Sequence, residues 1–374
     1  MKICILSMQR VCNFGSVLQA YSLKSILAEM GHDIEFIDIE EYSDDVVMLA
    51  EYTPNHNSEF DGYSSNKIVR MLNKIDRYSF YRLINRYKQV LQERNIRKFQ
   101  DEVLGLNKNI YSEYDVCVIG SDEVFNCLQG KYKHLTTQLF GNVRQAKKVI
   151  TYAASCGFTS KELLPDILTS PIQNALRNLS AISVRDRNTK KFVESLLPGK
   201  EVFQHLDPVL IGEFDKEITR TSNTVKIHEK YCLIYSYANR IHEDEEINAI
   251  KAFCKRNKMR IIAVGFQQRW IPDFVVASPF EALYLFKHAE FVITDTFHGT
   301  IFSSKYSKRF AVILRDSNNN KLSDLVHKLS IEKHVAQNID DLSYAYAIEN
   351  DTFRIKEICK KARQESIQYL SNNI

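Results

Sequence analysis

Nowhere in this sequence do apolar residues run for the roughly 18 to 20 positions that a membrane-crossing helix requires, so a transmembrane protein is not expected. Paired cysteines are missing too. Cys4, Cys12, Cys117, Cys127, Cys156, Cys232, Cys254 and Cys359 stand far apart, without a CxxC motif and mostly inside apolar runs, the pattern of small buried hydrophobes in a reducing compartment. There is no HExxH, no paired spacing of metal ligands and no GxGxxG after the first strand-like run, so neither a metal nor a cofactor is expected. Charge of one sign is scarce, the formal balance being +4 over 374 residues. The one basic concentration, Asn73 to Gln100, is interleaved with apolar residues at helical spacing. No recognition module accompanies it, so it reads first as a solvated helix face and not as a nucleic-acid surface, with contact to anionic lipid as a lesser alternative. The opening MKICILSMQR has one Lys and too short an apolar run for a signal peptide. A cytoplasmic protein is expected, with at most peripheral contact at the inner face of the membrane.

What the chain does have is length enough for two cores and a regular α/β alternation. A hydrophobic share of 44% and a charged share of 26% are those of a globular protein, and 374 residues suit two domains of about 150 to 200 residues each. Strand-like runs at Lys2 to Ser7, Asp33 to Ile39, Tyr114 to Ser121, Lys148 to Ala154, Ala181 to Arg185 and Val202 to Leu206 alternate with helical windows, which argues for parallel sheets. In the first helix Val17, Ala20, Leu23, Leu27 and Met30 share a face, and Gly31 stands where a C-terminal cap belongs. A second series has strands at Tyr231 to Tyr237, Arg260 to Phe266, Phe291 to Thr294 and Phe310 to Leu314. The expected division is an N-terminal domain over 1–214, interrupted by an insertion at about 43–110 that is polar and then helical, and a C-terminal domain over 231–348. Asp215 to Lys230 reads as a polar linker with little to pack on either core. A final helix, 349–374, would cross back to the first domain.

Ligands collect at the carboxyl ends of parallel strands, and four such segments stand out. In NFGS, Asn13, Gly15 and Ser16 precede a helix whose free N–H groups and dipole favour an anion or a sugar hydroxyl; a plain capped turn is the competing reading. In YDVCVIGSDEVFN, Gly120, Ser121, Asp122 and Glu123 follow an apolar strand, either as a polar turn or to orient an acceptor hydroxyl. Arg185 ends a buried strand, where a guanidinium needs an anion, either a protein carboxylate or a ligand; Asp186 would pair with it or cap the next helix. In ITDTFHGTIF a strand delivers Asp295, Thr296, His298, Gly299 and Thr300 into a helix start. A histidine there, charged only beside a bound phosphorylated ligand, suits a general acid.

Taken in order, NFGSVLQAYSL, YDVCVIGSDEVFN, ITYAASCG, ISVRD, LDPVL and ITDTFHGTIF make the sequence resemble the polysaccharide pyruvyl transferase family, over most of the chain outside the insertion. The resemblance implies two Rossmann-like domains facing across a cleft, a GT-B-like α/β fold, and transfer of a pyruvyl group from phosphoenolpyruvate to a saccharide, free or lipid-linked, as a ketal. It implies that His298 and its neighbours line the donor site with charge from Arg185, and that the N-terminal domain, through Asn13, Gly15, Ser16, Gly120 and Ser121, offers the acceptor surface. Some members have Arg two residues before the position of His298, where this chain has Thr296. Helix N–H groups, Gly299, Thr300, Lys305 or Arg315 would then hold the donor's anionic groups. His298 is the expected proton donor, with Asp122 or Asp295 as base. Two rival readings are a GT-B glycosyltransferase with a nucleotide-sugar donor and an inert binding protein of a polysaccharide assembly system.

Overall fold

The computed structural model describes residues 1–40, 77–128, 137–222, 224–225, 227–315, 319–337 and 341–374, with the backbone alone for 77–83 and 319–320. The first half runs β1 (Lys2–Leu6), α1 (Phe14–Glu29), β2 (Asp33–Phe36), α2 (Arg77–Phe99), β3 (Tyr114–Ile119), β4 (Ala146–Thr151), α3 (Asp166–Arg177), β5 (Ile182–Val184), α4 (Arg187–Leu196), β6 (Val202–Gln204) and α5 (Pro208–Ile211). The second runs α6 (Asp215–Arg220), β7 (Tyr231–Tyr235), α7 (Asp244–Arg256), β8 (Arg260–Val264), β9 (Phe274–Val275), α8 (Pro279–His288), β10 (Phe291–Thr294), α9 (Phe297–Tyr306), β11 (Phe310–Ile313), α10 (Asn319–Leu329), β12 (Val335–Ala336), α11 (Leu342–Ala347) and α12 (Thr352–Asn373).

Strands such as β1, β3 and β7 are short, mostly apolar and buried on both faces, as strands between helical layers are. The first sheet is parallel in the order β2-β1-β3-β4, and the parallel β5-β6 pair continues it through single bridges from Ile150 to Ala181 and from Ala154 to Val184. The second is parallel in the order β12-β11-β10-β7-β8-β9. Both are Rossmann-like layers.

Helix α1 lies at the junction of the two halves. Val17, Ala20, Leu23 and Leu27 of the expected face are buried and Met30 partly so, and on other faces Ser16, Gln19 and Ser22 are buried too, hydrogen-bonded to Asp122, Ser7 and the Pro208 carbonyl of the same half. Phe14 stacks on Tyr235 of β7 at 6.2 Å and packs in one hydrophobic cluster with Phe286 and Phe302. Burying a phenyl ring of this kind stabilises by about 1.5 to 3 kcal/mol, so apolar packing runs across the junction. Gly31 has φ +85° just past α1, the left-handed geometry that ends helices.

Three of the expected segments can be followed in the structure. The first part of the insertion lies outside the described residues; its second part is α2, prolonged by a π-helical turn at Gln100–Leu104. The 215–230 stretch is not without packing: α6 forms there, Ile218 is buried in the junction cluster and Glu217 accepts from the Tyr21 hydroxyl at 3.0 Å. Its single apolar residue, Ile218, is the one buried. Helix α12 meets the first half, where Tyr369 Oη donates to the Thr151 carbonyl (2.9 Å) and Tyr152 Oη to Ser366 Oγ (2.8 Å).

Candidate active site

The site is built around Asp207, at the end of β6. Asp207 caps α5 by accepting from the Val209 N–H at 3.0 Å, with Pro208 at the first helical position. Its other oxygen, Oδ2, accepts from Arg185 Nη1 at 3.0 Å and from Ser121 Oγ at 3.0 Å, and lies 3.5 Å from His298 Nε2. Arg185 follows β5, Ser121 follows β3, and His298 is the second residue of α9. Three strand ends of the first half and one helix start of the second therefore converge on a single carboxylate that solvent barely reaches. Burial alone would raise the Asp207 pKa. The nearby His298, then Arg185 and the Val209 N–H, overcome that and hold it well below the usual carboxylate range. Burial likewise works to lower the Arg185 pKa, and Asp207, Asp122, Asp186 and Glu123 outweigh it, raising the value.

The two basic side chains each keep an unpaired nitrogen. Arg185 is 4% exposed, its guanidinium stacks 4.0 Å from the Phe297 ring centre, and its Nε has no hydrogen-bond partner. His298 is 9% exposed and its Nε2 has none either, since 3.5 Å to Asp207 is too long for a good hydrogen bond. Orphaned buried donors are costly; beside them Arg185, Asp207, Phe297, Lys321, Asp324 and Lys328 line a small recess.

The NFGS turn explains why the imidazole can stand where it does. A Cβ on Gly15 would lie 2.2 Å from His298 Nδ1 and 2.3 Å from its Cγ, so only glycine lets α1 start against the ring. The next residue, Ser16, donates from Oγ to Asp122 Oδ2 at 2.6 Å. Gly15 and Ser16 thus bring His298 and Asp122 to one helix end. Asp122 has φ +83°, a left-handed backbone that few residues other than glycine adopt and that is concentrated at functional sites. Asn13 caps α1 through the Ser16 N–H at 2.7 Å, which is the plain capped-turn role, while Gly120 packs against Ser7 and Leu23.

Other expected residues have structural duties. Thr296 caps α9 by accepting from the Gly299 N–H (2.9 Å), and Thr300 Oγ1 donates to the Thr296 carbonyl (2.9 Å). Gly299 admits Thr294, Thr296 and Tyr235, each of which a Cβ would meet within 2.7 Å. Lys305 lies about two turns along α9 from His298, and its Nζ donates to the carbonyls of Val209 (2.8 Å) and Gly212 (2.6 Å) at the end of α5. Burial lowers its pKa to about 8. Arg315 is held by Glu246 at 2.6 Å and Asp295 at 3.3 Å. Asp295 is sealed from solvent, and burial raises its pKa against Arg240 and Arg315. Asp186 caps α4 through Thr189 N at 2.8 Å, leaving Arg185 to Asp207. Among the described residues no three His, Cys, Asp or Glu side chains gather as a metal ion would need.

Sequence reasoning passed over two groups. Asp207 was visible only as Asp-Pro in LDPVL, a signature for a helix cap. Lys321 of α10 reaches Glu123 of the first half at 2.6 Å; burial would raise the Glu123 pKa, but Lys321, Asn126 and Arg185 bring it down to about 2. No local pattern signals that pair.

Comparison with known proteins bears on the family and the fold. A family model described as polysaccharide pyruvyl transferase matches residues 13–317. No curated protein matches significantly. Among solved structures, the chain is similar to UDP-GlcNAc 2-epimerase from Methanocaldococcus jannaschii, at 13% identity and a TM-score of 0.52, with 100% of each chain covered. A second structure of that enzyme, in complex with UDP-GlcNAc and UDP, gives 14% identity and a TM-score of 0.48 over 100% of each chain. At such identities the likeness is one of fold, the GT-B arrangement of two Rossmann-like domains.

Proposed function

Since the chain belongs to the polysaccharide pyruvyl transferase family, we propose that it transfers the pyruvyl group of phosphoenolpyruvate to two hydroxyls of a saccharide, free or lipid-linked, releasing phosphate and leaving a ketal. The observation that carries this reading is the convergence of Arg185 and His298, from opposite halves, on buried Asp207, each with a nitrogen that no protein group satisfies.

Phosphoenolpyruvate bears about three negative charges at neutral pH, so its site needs cations and aligned donors where phosphate departs. Arg185 Nε and the Phe297 and His298 N–H groups at the start of α9, which have no intrahelical acceptor, supply them. The methylene carbon takes a proton from His298 Nε2, becoming a methyl group and leaving its neighbour oxocarbenium-like. The first saccharide hydroxyl adds to that carbon and gives its proton to Asp122. The C–O bond to phosphate breaks, a second hydroxyl adds, and its proton restores His298 while the Asp122 proton leaves with phosphate. Asp207 steadies the imidazolium before transfer and the guanidinium throughout. Asp295, Arg315 and Lys305 take no part in these steps.

The test is phosphate release from phosphoenolpyruvate across a panel of lipid-linked and free saccharides, with titration calorimetry against phosphoenolpyruvate and nucleotide sugars. Release with one acceptor, lost in His298→Gln, is the expected result. Heat from a nucleotide sugar and none from phosphoenolpyruvate would mean a glycosyltransferase instead, and saccharide binding with no release from any donor would mean an inert binding protein.

A further inference from the structure

Helix α2 is fixed on one side and open on the other. Its polar inner residues reach the backbone at the edge of the second sheet: Asn85 Nδ2 donates to the Ile271 carbonyl (3.1 Å), Lys88 Nζ to the Phe274 carbonyl (3.0 Å), and Gln92 exchanges two hydrogen bonds with Ala277 (2.8 and 3.0 Å). Ile96 and Phe99 bury in the junction cluster. These contacts cover edge strand β9 and fix which face of α2 points away.

That outward face carries Arg86, Tyr87, Val90, Arg94, Arg97 and Lys98, all exposed, within about 120° of arc at about 100° per residue. Tyr87 is 64% and Val90 59% exposed. The whole of α2 has seven Arg or Lys against the single acid Glu93. In the next turn Asp101 accepts from Asn107 at 3.2 Å and Glu102 lies 3.9 Å from Lys98, an exposed pair that leaves Arg86, Arg94 and Arg97 as the main cations of the face. Four cations flanking an exposed aromatic and an aliphatic residue form a face whose complement is a flat, anionic, partly apolar surface.

We propose that this face of α2 docks the protein on anionic phospholipid. Tyr87 and Val90 enter the headgroup boundary while the four cations meet lipid phosphates, which would bring the cleft to acceptors carried in the membrane. The proposal does not depend on the identity of the donor, because it is read without turnover.

The experiment is flotation of the full chain with phosphatidylglycerol-containing vesicles and with pure phosphatidylcholine vesicles. Binding to the anionic vesicles alone is expected, released by salt of about 0.5 M, at which surface charges are screened within a few ångströms. Arg94→Gln with Arg97→Gln should lower partitioning about thirtyfold, about fivefold for each charge, with an unchanged melting temperature. Tyr87→Ser should weaken binding while leaving its salt dependence in place. Equal binding to neutral vesicles, no binding to either kind, or full retention by the double variant would overturn the proposal. So would salt-sensitive retention of short duplex DNA without vesicle binding, which would make the face a nucleic-acid surface.

Discussion

Replacing Asp207 by Asn isolates the charge on which the site is built. The amide keeps the volume and can still accept from the Val209 N–H, but it removes the negative charge shared by Arg185 at 3.0 Å and His298 at 3.5 Å. It also turns an NH2 toward donors or sacrifices the cap. Removing one partner of a buried ion pair costs about 3 to 5 kcal/mol, because the remaining charge has no counterion. At about 2 °C per kcal/mol, the value for larger domains, the melting temperature should fall about 6 to 10 °C at pH 7. The pH dependence has a definite sign. The folded pKa of Asp207 is depressed, so its stabilisation is fully present above the unfolded value of about 3.9 and disappears as pH falls toward the folded one. The gap between parent and variant should hold from pH 8 to pH 5 and close only under strong acid. Melting scans over that range give the gap directly, and Arg185→Met in both backgrounds gives the coupling, expected to exceed about 1 kcal/mol. A fall under about 2 °C, or a gap that narrows between pH 8 and 6, would show that Asp207 is not an ionised partner of Arg185.

His298→Gln should reduce phosphate release about 10²- to 10⁴-fold, as the loss of one positioned acid does; near-normal turnover with the true acceptor would remove His298 as proton donor. Gly15→Ala places a methyl within 2.3 Å of the imidazole and should cost about 1 to 3 kcal/mol by overpacking, with a larger loss of turnover than its melting shift explains, measured side by side. For Lys305, whose pKa burial lowers to about 8, the unfolded chain binds more protons between that value and the unfolded one of about 10.4. Chemical denaturation should therefore show the parent gaining stability relative to Lys305→Met as pH rises from 8 to 10. Arg185→Ala should raise KM for phosphoenolpyruvate, and an unchanged KM in steady-state kinetics would count against donor contact by Arg185.

The strands and the first helix were readable because their signals are local. β1, β3 and β7 are apolar runs, α1 carries a helical stripe ended by Gly31, and Asp186 and Asn13 sit at cap positions, each settled by hydrogen bonds spanning three residues or fewer. The ends were read long: the run to Ser121 is a regular strand only to Ile119, after which Gly120 and Ser121 lead into the polar turn. The 215–230 stretch was read as unpacked because one buried isoleucine gives no periodicity.

Residue chemistry and short-range spacing were enough to state that Arg185 needed an anion, that NFGS placed a glycine at a helix start, and that a histidine began a helix at a strand end. Which anion, and why glycine, depended on parts of the chain that meet only after folding: Asp207 from the end of another strand, and the His298 ring from the opposite half pressed on Gly15. The same folding drew Lys305 onto the α5 carbonyls and tied Arg315 to Asp295 and Glu246. A charge buried away from water must find its partner in three dimensions, and nothing in its immediate neighbours specifies which one.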